Sequence, residues 1–261
     1  MKETIKKSFS KAASTYDAHA SVQKEVISLL SMELDNIHFR HAFPQNILEI
    51  GCGTGNYTGM LLKRFKDTRI ISLDISEGMV HEARKKFIHN KSVRFFVDDA
   101  ESLTPSIGGP FDLVTSSGAL HWFDDIKTGL RGIKPLISRH GIILVSIFGR
   151  ETLKELQTVL KEVSGSNARI SSGFFPNQTI LSSIFSDFFP EWKINEHRIT
   201  RTYPDLITFL RILKMTGTSP VIKEKPVIRH PEVLKKMEKF FWDSYGRIQA
   251  TYQVFICKGK K

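Results

Sequence analysis

Apolar and polar stretches alternate along the chain in a pattern that predicts an α/β core. Apolar runs of strand length recur at 47–50, 69–74, 92–98, 111–117 and 141–148. The last of these runs is apolar throughout, as expected of a parallel strand that is covered on both faces. Segments with helical spacing separate the runs, at 61–65, 78–87 and 124–134. Residues 44–150 are therefore predicted to form a core of five strands with helices between them.

The regions that flank this core carry further predicted helices and two more strands. Residues 5–34 have helical spacing with a break at Ser21, so the N-terminal part, 1–43, is interpreted as a helical lid. In the C-terminal part, 151–261, the pattern predicts helices over 151–163, 204–215 and 231–244, a loop over 164–178, and strands over 192–200 and 250–256. The last two helices form a predicted substrate cap at about 203–246. No linker divides the chain, which predicts one domain over 1–261.

A glycine-rich turn follows the first apolar run. That run contains Glu49, and Gly51, Gly53 and Gly55 follow it in alternation. Glycine permits positive φ and removes the Cβ atoms that would keep a ligand away from the backbone, and free amides at the next helix start bind polar groups. The G-x-G-x-G spacing differs from the G-x-G-x-x-G dinucleotide fingerprint, so it favours S-adenosylmethionine over NAD. Alone, such a turn also closes ordinary strands.

Carboxylates at the ends of the next two strands strengthen the ligand-binding interpretation. Asp74 ends the second run 19 residues after Gly55, close to the spacing of about 20 expected for an acid that binds ribose hydroxyls. Asp99 follows the third run, where it is placed to accept from an adenine amine. Each acid by itself could equally cap a helix. Their combination with the glycine turn predicts a ligand at the carboxyl ends of the strands.

Together these motifs resemble the class I S-adenosylmethionine-dependent methyltransferases over about residues 40–150. The flanks at 9–20, 118–122, 203–217 and 246–254 are similar to the malonyl-[acyl-carrier protein] O-methyltransferases of biotin synthesis. The resemblance implies a seven-stranded Rossmann-like sheet, mostly parallel with an antiparallel last strand. It also implies methyl transfer to the free carboxylate of malonyl-acyl carrier protein, whose ester then serves as a primer for the pimeloyl precursor of biotin.

The predicted site combines the residues of these motifs with positions that the resemblance adds. Tyr16 and Gln23 match family positions near the methionine end of the donor, although plain lid packing is an alternative role. The full set predicted at S-adenosylmethionine is Tyr16, Gln23, Glu49, Gly51, Cys52, Gly53, Gly55, Asp74, Ile75, Met79, Asp99, Ala100, Glu101 and Ser116.

Four residues are predicted to line the substrate pocket. His121 and Trp122 follow the fourth strand, and Arg211 and Lys214 lie three apart on a predicted cap helix, where they share a face. The two cations are candidates for the carboxylate or the phosphopantetheine, with solvated surface as the alternative. For His121 a hydrogen-bonded role without proton transfer is favoured, and Trp122 could simply be core. A carboxylate acceptor is already ionised at neutral pH, so no catalytic base is expected.

The charge of the chain bears on its partner. The 261 residues carry a formal net charge of +11, which favours an acidic partner such as an acyl carrier protein. The positive residues are dispersed, with short clusters at 223–229 and 235–236, and no RNA-binding signature stands out, so nucleic acid is not expected. Alternatively, the charge serves only solubility. Two other functions stay open: methylation of a free carboxylic acid, as in trans-aconitate-type enzymes, and a non-catalytic cofactor-binding partner protein.

The N-terminus and the cysteines indicate the compartment. Residues 1–7 lack the apolar core of a secretion signal, and no run approaches the ~18 apolar residues needed to cross a bilayer. A cytoplasmic location without a membrane partner is therefore expected. Cys52 and Cys257 suit neither a metal cluster nor a disulfide framework, so reduced cysteines and no metal are predicted.

Overall fold

The computed structural model describes residues 2–40, 42–103, 107–164, 170–218 and 230–261. Within these ranges the strands are β1 (Asn46–Ile50), β2 (Arg69–Asp74), β3 (Val93–Val97), β4 (Phe111–Ser117), β5 (Ile137–Phe148), β6 (Glu191–Tyr203) and β7 (Ile248–Lys260). The α-helices are α1 (Lys2–His19), α2 (Ser21–Asp35), α3 (Asn56–Arg64), α4 (Glu77–Lys86), α5 (Ile126–Ile133), α6 (Lys154–Ser164), α7 (Gln178–Phe188), α8 (Leu206–Met215) and α9 (Pro231–Tyr245).

The strands form one seven-stranded sheet in the order β3-β2-β1-β4-β5-β7-β6. Strands β1 to β5 are parallel, whereas β7 pairs antiparallel with both β5 and β6. This arrangement confirms the predicted mostly parallel sheet with an antiparallel last strand. The chain order reverses between β1 and β4, and in open α/β sheets such a switch point opens a crevice beyond the carboxyl ends of the strands.

Helices cover both faces of the sheet, and each face has its own buried cluster. Along β1, Ile47 points into one cluster, whereas Leu48 and Ile50 point into the other. This alternation follows from the two-residue period of a strand. The central strands β1, β4 and β5 are thus buried on both faces, which explains their apolar runs in the sequence.

The segment predicted as a lid divides into two helices with different roles. Helix α2 buries Val22, Val26, Leu30 and Leu34 in the core, at intervals of four residues. Such a stripe is what a core helix presents to a sheet. Helix α1 buries only Ile5, Ala12 and Ala13 and contacts α4 and α8. Helix α2 therefore belongs to the core, whereas α1 lies on the outside of it.

Contact between α1 and α4 depends on a glycine. A Cβ added at Gly78, in the first turn of α4, would lie 2.8 Å from the Ser10 carbonyl oxygen. The two helices can approach this closely only because position 78 has no side chain. Ser10 and Ser76 hydroxyls, 2.8 Å apart, add a hydrogen bond beside this contact.

Several predicted element boundaries are wrong by a few residues. Helix α3 begins at Asn56, directly after the left-handed Gly55, and not at residue 61. Strand β5 begins at Ile137, four residues before the predicted start. Strands β6 and β7 are both 13 residues long, because their antiparallel ladder continues through polar residues that the apolar pattern excludes.

The prediction missed helix α7 altogether. Asn177 caps it by accepting from the Ile180 amide at 2.9 Å, and Leu181 and Phe185 are its buried residues. The Ser, Gly and Asn content of the preceding segment indicated a loop and concealed this start. The basic cluster at 223–229 and the prolines at 220 and 226 lie outside the described residues. In the described ranges, no helix has the length and apolar character required to span a membrane.

Candidate functional site

The glycine turn after β1 is held by the end of β2. The amides of Gly51 and Cys52 donate to the Leu73 carbonyl oxygen at 2.7 and 3.0 Å, and the Gly53 amide donates to Oδ2 of Asp74 at 3.0 Å. Gly51, Gly53 and Gly55 all have positive φ, so their backbone needs glycine. The turn and Asp74, which the sequence predicts at the same ligand site, are thus joined by a direct hydrogen bond in the structure.

Asp74 both organises this turn and faces open space. Its Oδ1 accepts from the Ser76 amide at 2.8 Å, and each carboxylate oxygen keeps a second lone pair for a ligand. Burial raises the pKa of Asp74 above its ordinary value, against the effect of the two amide bonds. The carboxylate is therefore positioned to accept from hydroxyl groups in the space beside it.

A cleft opens at the switch point, with about 750 Å³ of space between the atoms, open solvent included. We call it the switch-point cleft. Eight predicted cofactor residues line it: Tyr16, Gly51, Gly53, Asp74, Ile75, Met79, Asp99 and Ala100. Trp122, predicted for the substrate pocket, lines it as well. Five predicted cofactor residues, Glu49, Cys52, Gly55, Glu101 and Ser116, lie behind or beside this lining, and Gln23 lines a different cavity.

Helix α1 forms the roof of this cleft. Ile5, Phe9 and Tyr16 on one side of α1 line it. At one end, Lys2 Nζ binds Asp99 at 2.7 Å and also contacts Glu101. The acid predicted to accept from adenine therefore also holds the N-terminal helix in this structure.

Asp17 anchors the C-terminal end of α1 through hydrogen bonds and an ion pair. Its Oδ1 accepts from Thr54 at 2.5 Å and from Asn56 at 2.8 Å, both beside the glycine turn. Its Oδ2 pairs with Lys86 of α4 at 2.8 Å. Burial acts to raise the pKa of Asp17, but these hydrogen bonds together lower it below the ordinary value. No local sequence pattern indicates this tether, because the partners of Asp17 lie 37 to 69 residues away.

A second cavity of about 620 Å³ adjoins the cleft at Trp122, which lines both. We call it the aromatic cavity. Its lining includes His121, Trp122, Phe148, Phe175, Tyr203 and Tyr252, together with Gln23. Phe175 packs against the His121 ring at 4.5 Å and the Trp122 ring at 5.1 Å between centroids. The structure therefore places Trp122 between two adjoining cavities and His121 in the lining of the aromatic cavity.

His121 is set as a neutral hydrogen-bond donor. Its Nδ1 accepts from the Phe148 amide at 3.4 Å, which leaves the ring proton on Nε2. Burial lowers the pKa of His121 to about 3. The imidazole is therefore uncharged at neutral pH.

Arg211 and Lys214 lie outside the pocket predicted for them. Both are exposed, and neither lines the cleft or the aromatic cavity. The buried side of α8 carries Leu206, Phe209 and Leu213, so the helical period turns the two cations to the outer face. They share a face as predicted, but that face is the protein surface.

Comparison with known proteins identifies the family. Residues 47–141 match the family model described as a methyltransferase domain. A curated malonyl-[acyl-carrier protein] O-methyltransferase from Priestia megaterium is 35% identical, covering 96% of this chain and 78% of the relative. Another from Bacillus anthracis is 34% identical over 98% of this chain and 96% of the relative. The chain belongs to the malonyl-[acyl-carrier protein] O-methyltransferase family.

Solved structures agree with the fold of this family. The YcgJ protein of Bacillus subtilis superposes with a TM-score of 0.61 at 18% identity, covering 89% of this chain and 97% of that chain. The plantazolicin methyltransferase BpumL, solved with S-adenosylhomocysteine, gives a TM-score of 0.52 at 15% identity, covering 97% and 95%. The resemblance to methyltransferases that the sequence motifs indicate is confirmed.

Glu49, the acid before the glycine turn, has a supporting position in this family member. It is fully buried, and one oxygen, Oε2, accepts from both Thr58 and Ser72 hydroxyls at 2.6 Å. The other oxygen has no hydrogen-bond partner among the described residues. Burial, with a smaller contribution from Asp74, raises the pKa of Glu49 to about 7. Glu49 thus lies beneath the turn and ties β1 to β2 and α3.

This burial predicts a pH-dependent stability. Because the pKa of Glu49 is about 7 in the folded protein and 4.5 ordinarily, its contribution is fully present below pH 4.5 and is lost as the pH rises through 7. Glu49→Gln should therefore be more stable than the wild type at pH 8, by up to about 3 kcal/mol. Urea unfolding between pH 5 and 8 measures this, with the exposed Glu232→Gln as control. Equal pH dependence in Glu49→Gln and the wild type would contradict it.

Proposed function

We propose that the protein transfers a methyl group from S-adenosylmethionine to the free carboxylate of malonyl-acyl carrier protein. The observation that carries this proposal is the meeting of two cavities at Trp122. One of them has the glycine turn and Asp74 in its lining, and the other is lined mainly by aromatic and other apolar side chains. The donor would occupy the switch-point cleft and the acyl carboxylate the aromatic cavity. The role of the ester in pimeloyl synthesis, implied by the resemblance, is part of this proposal.

The residues of the switch-point cleft fit S-adenosylmethionine. A Cβ added at Gly53 would meet no atom within 4 Å, so this part of the turn borders open space. Asp74 supplies acceptors for ribose hydroxyls there, and Ile75 and Met79 supply apolar surface. The methyltransferase domain match and the S-adenosylhomocysteine bound to BpumL support this donor. When bound, the donor supplies an electrophilic methyl group on a sulfonium.

The chain's own contribution to the reaction is positioning and exclusion of water. A carboxylate oxygen displaces the sulfonium leaving group, the methyl–sulfur bond breaks, and its electron pair stays on sulfur. The carboxylate is ionised at neutral pH, and His121 is neutral and has its Nδ1 occupied, so it does not act as a base. The roof helix α1 and the aromatic wall enclose the reacting groups, which favours a reaction that depends on alignment in a dry site.

The acidic carrier is proposed to dock on the outer face of α8. Ile207, Arg211 and Lys214 are exposed at intervals of four and three residues, which places them on one face. Ile212 and Leu213 on the opposite side line the aromatic cavity. A carrier on this face would therefore lie one helix away from the cavity that its malonyl group has to enter, and a net charge of +11 would steer the encounter.

This docking face can be tested by charge reversal. We expect Arg211→Glu with Lys214→Glu to raise KM for malonyl-acyl carrier protein about tenfold at low salt, because steering and rim contacts are lost. KM for malonyl-coenzyme A should change much less. Raising salt from about 50 to 500 mM should reproduce the effect in the wild type, since exposed charges are screened over about 10 Å at 0.1 M.

The matched control reverses two other exposed cations, at the other end of the sheet, and so changes the net charge by the same amount. Lys66 and Arg139 are exposed near the amino ends of β2 and β5, so their reversal to Glu should leave KM for the carrier substrate unchanged. Equal salt sensitivity with carrier and coenzyme A substrates would contradict carrier docking. Faster methylation of free malonate would instead favour the small-acid enzyme.

A further inference from the structure

We infer that Tyr203 and Tyr252 form a hydroxyl pair that binds the reacting carboxylate of the substrate inside the aromatic cavity. This inference rests on the proposed function, because it assigns side chains to the acceptor group of that reaction. Neither tyrosine is among the site residues predicted from the sequence.

The sheet brings the two phenols together at its antiparallel edge. Tyr252 pairs in register with Ile199, and Tyr203, at the end of β6, pairs with Ile248. Their hydroxyl oxygens are 3.0 Å apart, and both residues line the aromatic cavity. The Tyr203 ring stacks on Phe209 of α8 with centroids 4.6 Å apart. The two hydroxyls therefore sit on a fixed frame made by β6, β7 and the cap helix.

The hydroxyl pair has one proton that is not used in the hydrogen bond between the two tyrosines. Each phenol carries one proton, so one hydroxyl donates to the other and the second proton remains. Either hydroxyl can be the donor within the pair, and Tyr252 is 7% exposed whereas Tyr203 is only half-buried. Whichever hydroxyl donates, the remaining proton lies at the wall of the aromatic cavity, where buried donors normally have an acceptor. A ligand carboxylate in the cavity would supply one, and both hydroxyls can turn to donate to its two oxygens.

The charge of the cavity wall favours neutral donors for this carboxylate. Among the described residues that line the aromatic cavity, none is a lysine or an arginine. Burial raises the pKa of Tyr252 well above its ordinary value and also raises that of Tyr203, so both phenols keep their protons at neutral pH. Hydrogen bonds from neutral hydroxyls orient the carboxylate without a tight ion pair that would reduce its nucleophilicity.

Arg201 is the cation that competes with this assignment. It lies two residues before Tyr203 on β6, and its charge acts on both phenols. Its guanidinium, however, binds Glu25 of α2 and the Thr200 carbonyl oxygen, and it does not line the cavity. The geometry therefore favours the hydroxyl pair over Arg201 as the direct partner of the carboxylate.

Steady-state kinetics of conservative variants test the pair. Tyr203→Phe and Tyr252→Phe should each raise KM for malonyl-acyl carrier protein about threefold to tenfold, and the double variant about 100-fold, because hydrogen bonds to a charged group are lost. The change in kcat should stay below about threefold, and affinity for S-adenosylhomocysteine should not change. Tyr245→Phe, which removes the same hydroxyl on α9 outside both cavities, is the matched control.

A second measurement separates carboxylate binding from a structural role. Inhibition by the methyl ester product, which lacks the negative charge, should be nearly the same for the double variant and the wild type. Equal weakening of substrate and ester would show a general packing defect and overturn the inference. An unchanged KM in the double variant, or a 100-fold rise in Arg201→Gln alone, would also overturn it.

The wild-type substrate profile separates this inference from the proposed function. If the wild type methylates malonyl-acyl carrier protein and the double variant has an unchanged KM for it, the carboxylate-binding role of the two tyrosines is refuted. The proposed function is not affected by that result. If the wild type instead methylates only a free carboxylic acid, the carrier proposal fails. The same variants are then scored on that acid, where a raised KM supports the pair and an unchanged KM refutes it.

Discussion

Asp74→Ala should weaken binding of S-adenosylhomocysteine at least about 100-fold. The carboxylate is proposed to accept from ribose hydroxyls, and it also holds the glycine turn through the Gly53 amide at 3.0 Å. Losing the acceptor leaves buried polar groups unpaired, at a cost of about 1 to 3 kcal/mol for each, and 2.7 kcal/mol corresponds to about 100-fold in affinity. Calorimetric titration of the folded variant measures the loss.

Asp112 offers a matched control at the opposite end of the sheet. Its Oδ2 also accepts from two backbone amides, those of Gln45 and Asn46, at 2.8 and 3.2 Å. Asp112→Ala therefore removes a carboxylate of the same kind from β4 without touching the cleft, and donor affinity should persist. Asp74→Ala with wild-type affinity, or equal losses in both variants, would refute the assigned role of Asp74.

The glycine turn makes the same site testable by steric means. An added Cβ at Gly53 meets no atom within 4 Å, whereas one at Gly51 would lie 2.3 Å from the Ala119 Cβ. Gly53→Val should thus fill cleft space and abolish donor binding while the protein stays folded, with a strain of about 1 to 2 kcal/mol from its positive φ. Gly51→Val should destabilise the fold itself. Donor binding by folded Gly53→Val would contradict the proposed position of the ligand.

The cleft could be predicted from sequence because its signals are local. The glycine turn is contiguous, strand β2 ends at Asp74 as the apolar run predicts, and parallel strands align their carboxyl ends by the rules of the fold. The carboxyl ends of β1, β2, β3 and β4 therefore line one crevice, and this can be predicted without knowledge of any particular long-range contact. Sequence alone therefore indicates which residues meet wherever the topology fixes the neighbours.

The remaining features depend on contacts that no local pattern reveals. The tether of Asp17 to Lys86 spans 69 residues, and the Tyr203–Tyr252 pair depends on the exact register of β6 with β7. The outward position of Arg211 depends on which stripe of α8 is buried. Charge and spacing showed that such residues were available, but tertiary packing decided which of them meet.

Deleting residues 1–20 should lower kcat/KM at least about 100-fold while the sheet stays folded. The deletion removes α1, whose Ile5, Phe9 and Tyr16 roof the cleft, and it leaves α2 with its buried stripe from Val22 to Leu34. Water then reaches the donor site and the donor loses its alignment, which a reaction based on positioning cannot tolerate. Circular dichroism and turnover on the same sample separate folding from catalysis.

A single substitution examines the same roof without a truncation. Asp17→Ala breaks the tether to Thr54, Asn56 and Lys86 and should cause a smaller loss of turnover, about tenfold, because Lys2 still holds the other end of α1. The control, Asp35→Ala, breaks the surface pair with Arg64 at 2.6 Å and should leave turnover unchanged. Full activity in the truncated protein would exclude a covering role for α1 and leave Tyr16 as a packing residue.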